Sequence, residues 1–267
     1  MRSAFFKFAT ILSFFLAYTT AASALDVYII AGQSNGFRLS SIGEDPKGAG
    51  QHKVYYYHMK CVSEPEKPMF HLNNGLSQKS MGFGLADALQ KLSNDDIIIV
   101  QYCRCGASIQ DHSGKGWYPG DDPENGKFHN SGLYGKFLKY MAHAKKSAEE
   151  EHGLTWDVKG LFWHQGESDA KFPGEVYERN LSNLIWRFRK DIKADLPIVA
   201  AHIRALSDER KAINLALDNV AKDEPQMVVV PSNDLQFESP TNVHFATKGC
   251  HDLGRRMVEA FTKLKSP

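Results

Sequence analysis

Apolar residues fall along this chain in two kinds of pattern. Short runs rich in β-branched and aromatic residues recur at Val27 to Ala31, Val54 to Tyr57, Ile97 to Tyr102, Val158 to His164, Ile198 to Ile203 and Met227 to Val230. Between several of them stand stretches of helical spacing, Gly84 to Leu92, Leu133 to Glu151, Val176 to Lys193 and Glu209 to Val220, and a last one runs from Thr247 to Leu264. Strands that alternate with helices predict a parallel sheet covered on both faces, with ligands held beyond the carboxyl ends of the strands. Residues 36–52 and Asp111 to Asn130 break the pattern; the second stretch carries Gly114, Gly116, Pro119, Gly120, Pro123 and Gly126. Long irregular loops in compact domains are commonly functional or mobile.

The first residues read as a separate region. Arg2 and Lys7 precede an apolar stretch from Phe8 to Tyr18, and Ala22-Ser23-Ala24 has the small-x-small form of a signal peptidase site. We therefore expect a signal peptide over residues 1–24, cleaved near Ala24, and export to the periplasm or the medium. The apolar core is too short to span a bilayer, and no later run is long enough, so stable membrane insertion is not expected. The remaining 243 residues (267 minus 24) suffice for one large α/β domain, residues 25–267.

With 32 basic against 31 acidic side chains, nothing favours nucleic acid or an anionic surface as partner. The cysteines Cys61, Cys103, Cys105 and Cys250 allow three full pairings in an exported protein, and the sequence does not choose among them. They lack Cys-x-x-Cys spacing, which argues against a structural zinc. Neither metal nor cofactor is expected.

Three strand ends carry reactive groups. Asp26 to Gly32 reads as a buried strand that stops at a glycine and presents Ser34 on the following turn; Trp163-His164-Gln165-Gly166-Glu167-Ser168-Asp169 follows a second run, and Asn242-Val243-His244-Phe245 precedes the last helix. A hydroxyl, an amide beside a carboxylate, and an imidazole on one rim are the parts needed for hydrolysis through a serine nucleophile. A serine hydroxyl loses its proton poorly at neutral pH, so it needs a base, and His244 is the candidate by position, with His164 its rival. The developing oxyanion needs preorganised donors. Ser34 N–H, Gly106 N–H after the third main strand, and the Gln165 side-chain amide are the candidates. Gly106 alone reads as a turn glycine; it gains weight only from the set.

Gly32-Gln33-Ser34-Asn35, Gly106-Ala107-Ser108-Ile109, His164-Gln165-Gly166-Glu167-Ser168, and Val243-His244-Phe245 with Leu253-Gly254-Arg255-Arg256 resemble successive blocks of the sialate O-acetylesterase-like group. That group includes carbohydrate esterase family 6 and lies within the SGNH hydrolase superfamily. The resemblance spans nearly the whole chain after the leader. It implies a flavodoxin-like three-layer α/β/α fold, Ser34 as nucleophile, His244 as base, an oxyanion hole from Ser34, Gly106 and Gln165, and metal-independent removal of O-acetyl groups from a carbohydrate. Many relatives place an aspartate three residues before the histidine, where this chain has Thr241 followed by Asn242. Glu167 is the acid assigned to orient His244, as in some members of the group, with Glu238 and Asp234 as alternatives. Cys105 and Ala107 also stand where relatives often have glycine and threonine.

Trp117 and Tyr118 lie in the irregular loop, where their rings could stack on a sugar or pack inward. Asp121, Asp122, Glu124 and Asn125 match no calcium template and read as a solvated turn. Arg38 and Arg104 stand near the expected pocket mouth without an assigned role. Two rivals remain at this stage: a lipase- or thioesterase-like hydrolase on the same scaffold, and a sugar-binding protein whose catalysis has decayed.

Overall fold

Strand β1 (Leu25–Gly32) forms the spine of the computed structural model, which describes residues 25–37, 54–58, 69–72, 80–92, 95–110, 115–118, 120 and 132–265. Its side chains alternate, Val27, Ile29 and Ala31 entering one core and Tyr28 and Ile30 the other, so it is apolar on both faces. Parallel neighbours β4 (Ile97–Cys103) and β5 (Trp156–His164) flank it, with Gly32 paired to Cys103 on one side and to His164 on the other. The sheet extends through β2 (Val54–His58), β3 (Met69–Leu72), β6 (Ile198–Ala201) and β7 (Met227–Val230) in the order β3-β2-β4-β1-β5-β6-β7.

Helices cover both faces. Helices α3 (Gly132–Lys146), α4 (Gly174–Asp191) and α5 (Asp208–Asp223) close the core built on Val27 and Ile29, whereas α2 (Met81–Leu92) and α6 (Thr247–Lys265) close the one built on Tyr28 and Ile30. The predicted three-layer α/β/α architecture is therefore the observed one. Strands β2, β4, β1, β5, β6 and β7 are mutually parallel, but β3 pairs antiparallel with β2, an edge strand that the pattern did not reveal. Four residues of mixed character are too few for a periodic signal. A second unforeseen element is the single turn α1 (Ser34–Phe37) directly after β1. Helix α3 runs on into a π-helical segment, Ser147–Glu151.

Cys105 is disulfide-bonded, whereas Cys103 and Cys250 are buried cysteines outside any disulfide. Residues 1–24, Arg38, Cys61, Asp121, Asp122, Glu124 and Asn125 lie outside the described residues. Among the described residues no helix is long and apolar enough to cross a membrane.

Candidate active site

Gly32 ends β1 for a steric reason. Its φ is +136°, and a Cβ there would stand 2.1 Å from the backbone oxygen of His164. Only glycine lets the two strand ends approach so closely. Gln33 N–H then donates to that same oxygen at 2.9 Å, and the chain turns into α1 with Ser34 at its first position, 8% exposed. An N-terminal helical amide has no partner within its helix. Among the described residues neither Ser34 N–H nor Gly106 N–H has an acceptor.

His244 reaches this turn from the loop before α6, with Nε2 3.1 Å from Ser34 Oγ across 210 residues of sequence. The tautomer can be deduced. Asn242 Oδ1 accepts the backbone N–H of His244 at 2.9 Å, so the amide presents its oxygen to the ring. His244 Nδ1 lies 3.0 Å from that oxygen and must carry the hydrogen between them. Nε2 is left with its lone pair facing the serine, the form a general base requires. Asn242 Nδ2 in turn donates to Glu238 Oε2 at 2.9 Å.

Sequence reading assigned Glu167 to the ring of His244, but Asn242 occupies Nδ1. Glu167 instead accepts from Asn35 Nδ2 at 2.8 Å. That same nitrogen donates to Val243 O at 3.0 Å, and Asn35 Oδ1 accepts Phe245 N–H at 3.3 Å. Asn35 therefore clamps the backbone on both sides of His244, with Glu167 behind it. Asp234 is engaged elsewhere, in a two-toothed pair with Arg256 at 2.7 Å that holds its carboxyl down at about 2. Arg204 steadies the histidine loop from the end of β6, donating to Ser239 O at 2.7 Å and to Asn242 O, with its guanidinium 4.0 Å from the Phe237 ring centre.

Gln165 departs further from expectation. It is fully buried, and its amide nitrogen lies within bonding distance of Gln33 Oε1 (3.1 Å), Ala107 O (3.1 Å) and Asp169 Oδ2 (2.5 Å), more acceptors than two hydrogens serve. An amide so committed has no hydrogen for a substrate oxygen, which leaves Ser34 and Gly106 as the backbone donors of the expected set. Gln33, whose role the sequence did not suggest, ties the serine turn to the other block by accepting from Gly166 N–H (3.2 Å) and Ser168 N–H (3.3 Å).

Trp117 does not line a sugar site. It is wholly buried against Tyr102, Phe137 and Trp163, and its Nε1–H donates to Gly32 O at 2.9 Å, so it supports the serine turn from below. Tyr118 is buried too. The rival base His164 has no exposed surface, packs edgewise on Phe245 with ring centres 5.5 Å apart, and stands 3.9 Å from Glu167. Burial pushes its imidazole down, which favours the neutral ring. Arg104 is half-buried at the end of β4, where its N–H donates to Gly32 O at 3.2 Å.

The family model described as carbohydrate esterase, sialic acid-specific acetylesterase, matches residues 24–263. A probable carbohydrate esterase of Arabidopsis thaliana is 30% identical over 124 residues, 43% of this chain and 45% of that protein, so the alignment spans under half of the relative's length. The crystal structure of the same plant protein superposes with a TM-score of 0.64 at 18% identity, covering 90% of this chain and 98% of that one. The protein NanS superposes at 0.62 with 14% identity, over 91% of this chain and 98% of its own. A carbohydrate acetylesterase from Xanthomonas citri gives 0.60 with 16% identity, over 90% of this chain and 56% of its own.

Proposed function

We propose that this chain, which belongs to the sialic acid-specific acetylesterase family of carbohydrate esterases, removes O-acetyl groups from a carbohydrate through an acetyl-enzyme on Ser34. The observation that carries the reading is the 3.1 Å approach of His244 Nε2 to Ser34 Oγ, with Asn242 fixing the tautomer. Ser34 Oγ bonds to the acetyl carbonyl carbon as its proton passes to Nε2. The oxyanion is held by Ser34 N–H and Gly106 N–H. As the carbon–oxygen bond to the sugar breaks, the Nε2 proton goes to the leaving oxygen. Water then gives a proton to Nε2 and attacks the acetyl carbon, the bond to Oγ breaks and Oγ takes its proton back, and acetate leaves.

Asn242 orients the imidazole without carrying charge, and Glu238 behind it supplies the negative charge one hydrogen bond away. Glu167 acts through Asn35. Base, nucleophile and donors all come from the chain, so the reaction as written needs no metal, and a chelator should leave the rate unchanged. Export belongs to the same reading, supported by the leader pattern and by the disulfide at Cys105, a bond characteristic of oxidising compartments.

The decisive test is Ser34→Ala assayed on p-nitrophenyl acetate, with circular dichroism to check the fold. Loss of turnover in a folded variant is expected, and full retained activity would remove the mechanism. Acetate release from acetylated xylan, other acetylated polysaccharides and O-acetyl sialic acid then identifies the substrate. Preference for long acyl chains would move the reading to a lipase-like enzyme.

A further inference from the structure

Asp169 is a carboxylate with 1% of its surface exposed that takes no part in the mechanism above. Burial pushes its carboxyl up, and a set of donors opposes that shift. Oδ2 accepts Ile109 N–H at 2.9 Å and Oδ1 accepts Gln110 N–H at 3.0 Å, while Gln165 donates to Oδ2 and Ser108 adds its side chain. Two consecutive amides gripped by the two oxygens of one carboxylate fix both the place and the plane of the peptide between them. The neighbouring groups are held as well. Ala107 O accepts from Gln165, Ser108 O accepts Trp117 N–H at 2.8 Å, and Ala107 N–H closes a turn on Arg104 O at 3.2 Å. Gly106, at the tip of that turn, has a φ of +67° and, among the described residues, nothing within 4 Å of where a Cβ would stand. The aim of its amide is inherited from the fixed residues beside it.

We propose that Asp169 is the positioning residue of the oxyanion loop, its carboxylate holding residues 107–110 so that Gly106 N–H and Ser34 N–H converge on one developing oxygen. This rests on the esterase reading above and deepens it. Removing a single oxyanion donor costs about 10²- to 10³-fold in kcat. A donor that is present but loosely aimed loses part of that. Asparagine at 169 offers one acceptor oxygen where several donors converge, and its own N–H2 confronts one of them. The effect falls on kcat and spares KM, because the donors act chiefly on charge that develops in the transition state.

The test pairs p-nitrophenyl acetate with its thionoacetate, whose sulfur gains less from backbone donors than oxygen does. Asp169→Asn should lower kcat for the acetate by about tenfold or more, with KM little changed and the thionoacetate rate nearly unaffected, so the oxygen-to-sulfur rate ratio falls. A merely destabilised protein loses both rates in proportion and keeps the ratio. An unchanged ratio in an otherwise active enzyme overturns the assignment of Asp169 and leaves the esterase reading standing. A wild-type protein inactive on both esters overturns the esterase reading and this inference with it. If Asp169→Asn does not fold, Asp169→Ser, which leaves room for a water to take the amides, is read in the same way. Failure of both to fold would assign Asp169 to the fold alone and end the proposal.

Discussion

The two ends of the central sheet carry similar polar side chains under opposite conditions. At the amino ends, Lys159 stands 3.3 Å from Asp26 and 2.5 Å from Asp157, and Lys193 lies 3.4 Å from Asp157; these side chains keep about a third of their surface in water, from 27% to 38%. At the carboxyl ends, Gln33, His164, Gln165 and Asp169 keep 3% or less. Solvated ion pairs tolerate loss of a partner because water replaces it. Buried polar groups do not, since a donor left without its acceptor carries the full desolvation cost. Hydrogen bonds from Gln33, Gln165, Asp169 and Asn35 to distant segments therefore hold the serine turn, the oxyanion loop and the histidine loop in one register, although both ring nitrogens of His164 have no hydrogen-bond partner among the described residues.

Several substitutions would break or sharpen this contrast. Gly32→Ala should be the most damaging, because its Cβ would meet His164 O at 2.1 Å in a backbone conformation unfavourable to alanine. We expect a loss of about 3 kcal/mol or more in urea unfolding, and a loss under about 1 kcal/mol would mean that the strand ends are not so tightly joined. Asn242→Ala comes next. The ring of His244 loses the acceptor that sets its tautomer, and kcat/KM should fall about 10- to 100-fold, part of the contribution a general base makes. An unchanged rate would transfer the orienting role to another group.

Glu167→Gln should cost only a few-fold in kcat, since glutamine still presents an oxygen to Asn35 Nδ2 while Asn242 remains on the ring. A drop as large as that of Asn242→Ala would restore Glu167 as the orienting acid. On the opposite rim, Lys159→Ala should change stability by no more than about 1 kcal/mol, a difference that shrinks in high salt. The smallest effect belongs to pH and the Asp234–Arg256 pair. The folded carboxyl sits at about 2, below its ordinary value of 3.8, so its contribution is complete above that value and is lost as pH falls toward 2. With Asp234 largely exposed, comparing wild type with Asp234→Asn by acid titration should reveal a difference of at most about 1 kcal/mol that fades as pH falls through about 2.

Local pattern determined a good deal of this protein. Runs apolar on both faces, alternating with helical spacing, are enough to specify a parallel sheet between helix layers, because strand and helix periods are properties of the backbone. Glycine at the end of β1 and the serine after it were legible for the same reason. What the sequence could not convey is which polar atoms meet. Gln165 looked like a donor to substrate, but Ala107 O and Asp169, brought by the fold, take its hydrogens. Trp117 could by its residue type stack on a sugar or pack inward, and Tyr102, Phe137 and Trp163 enclose it. Glu167 looked like the partner of His244, yet Asn242, two residues from the ring, reaches it first. A side chain's chemistry is written in its residue type, but its hydrogen-bond partner is settled by competition among groups from 2 to 210 positions apart, and only the folded chain brings those competitors together.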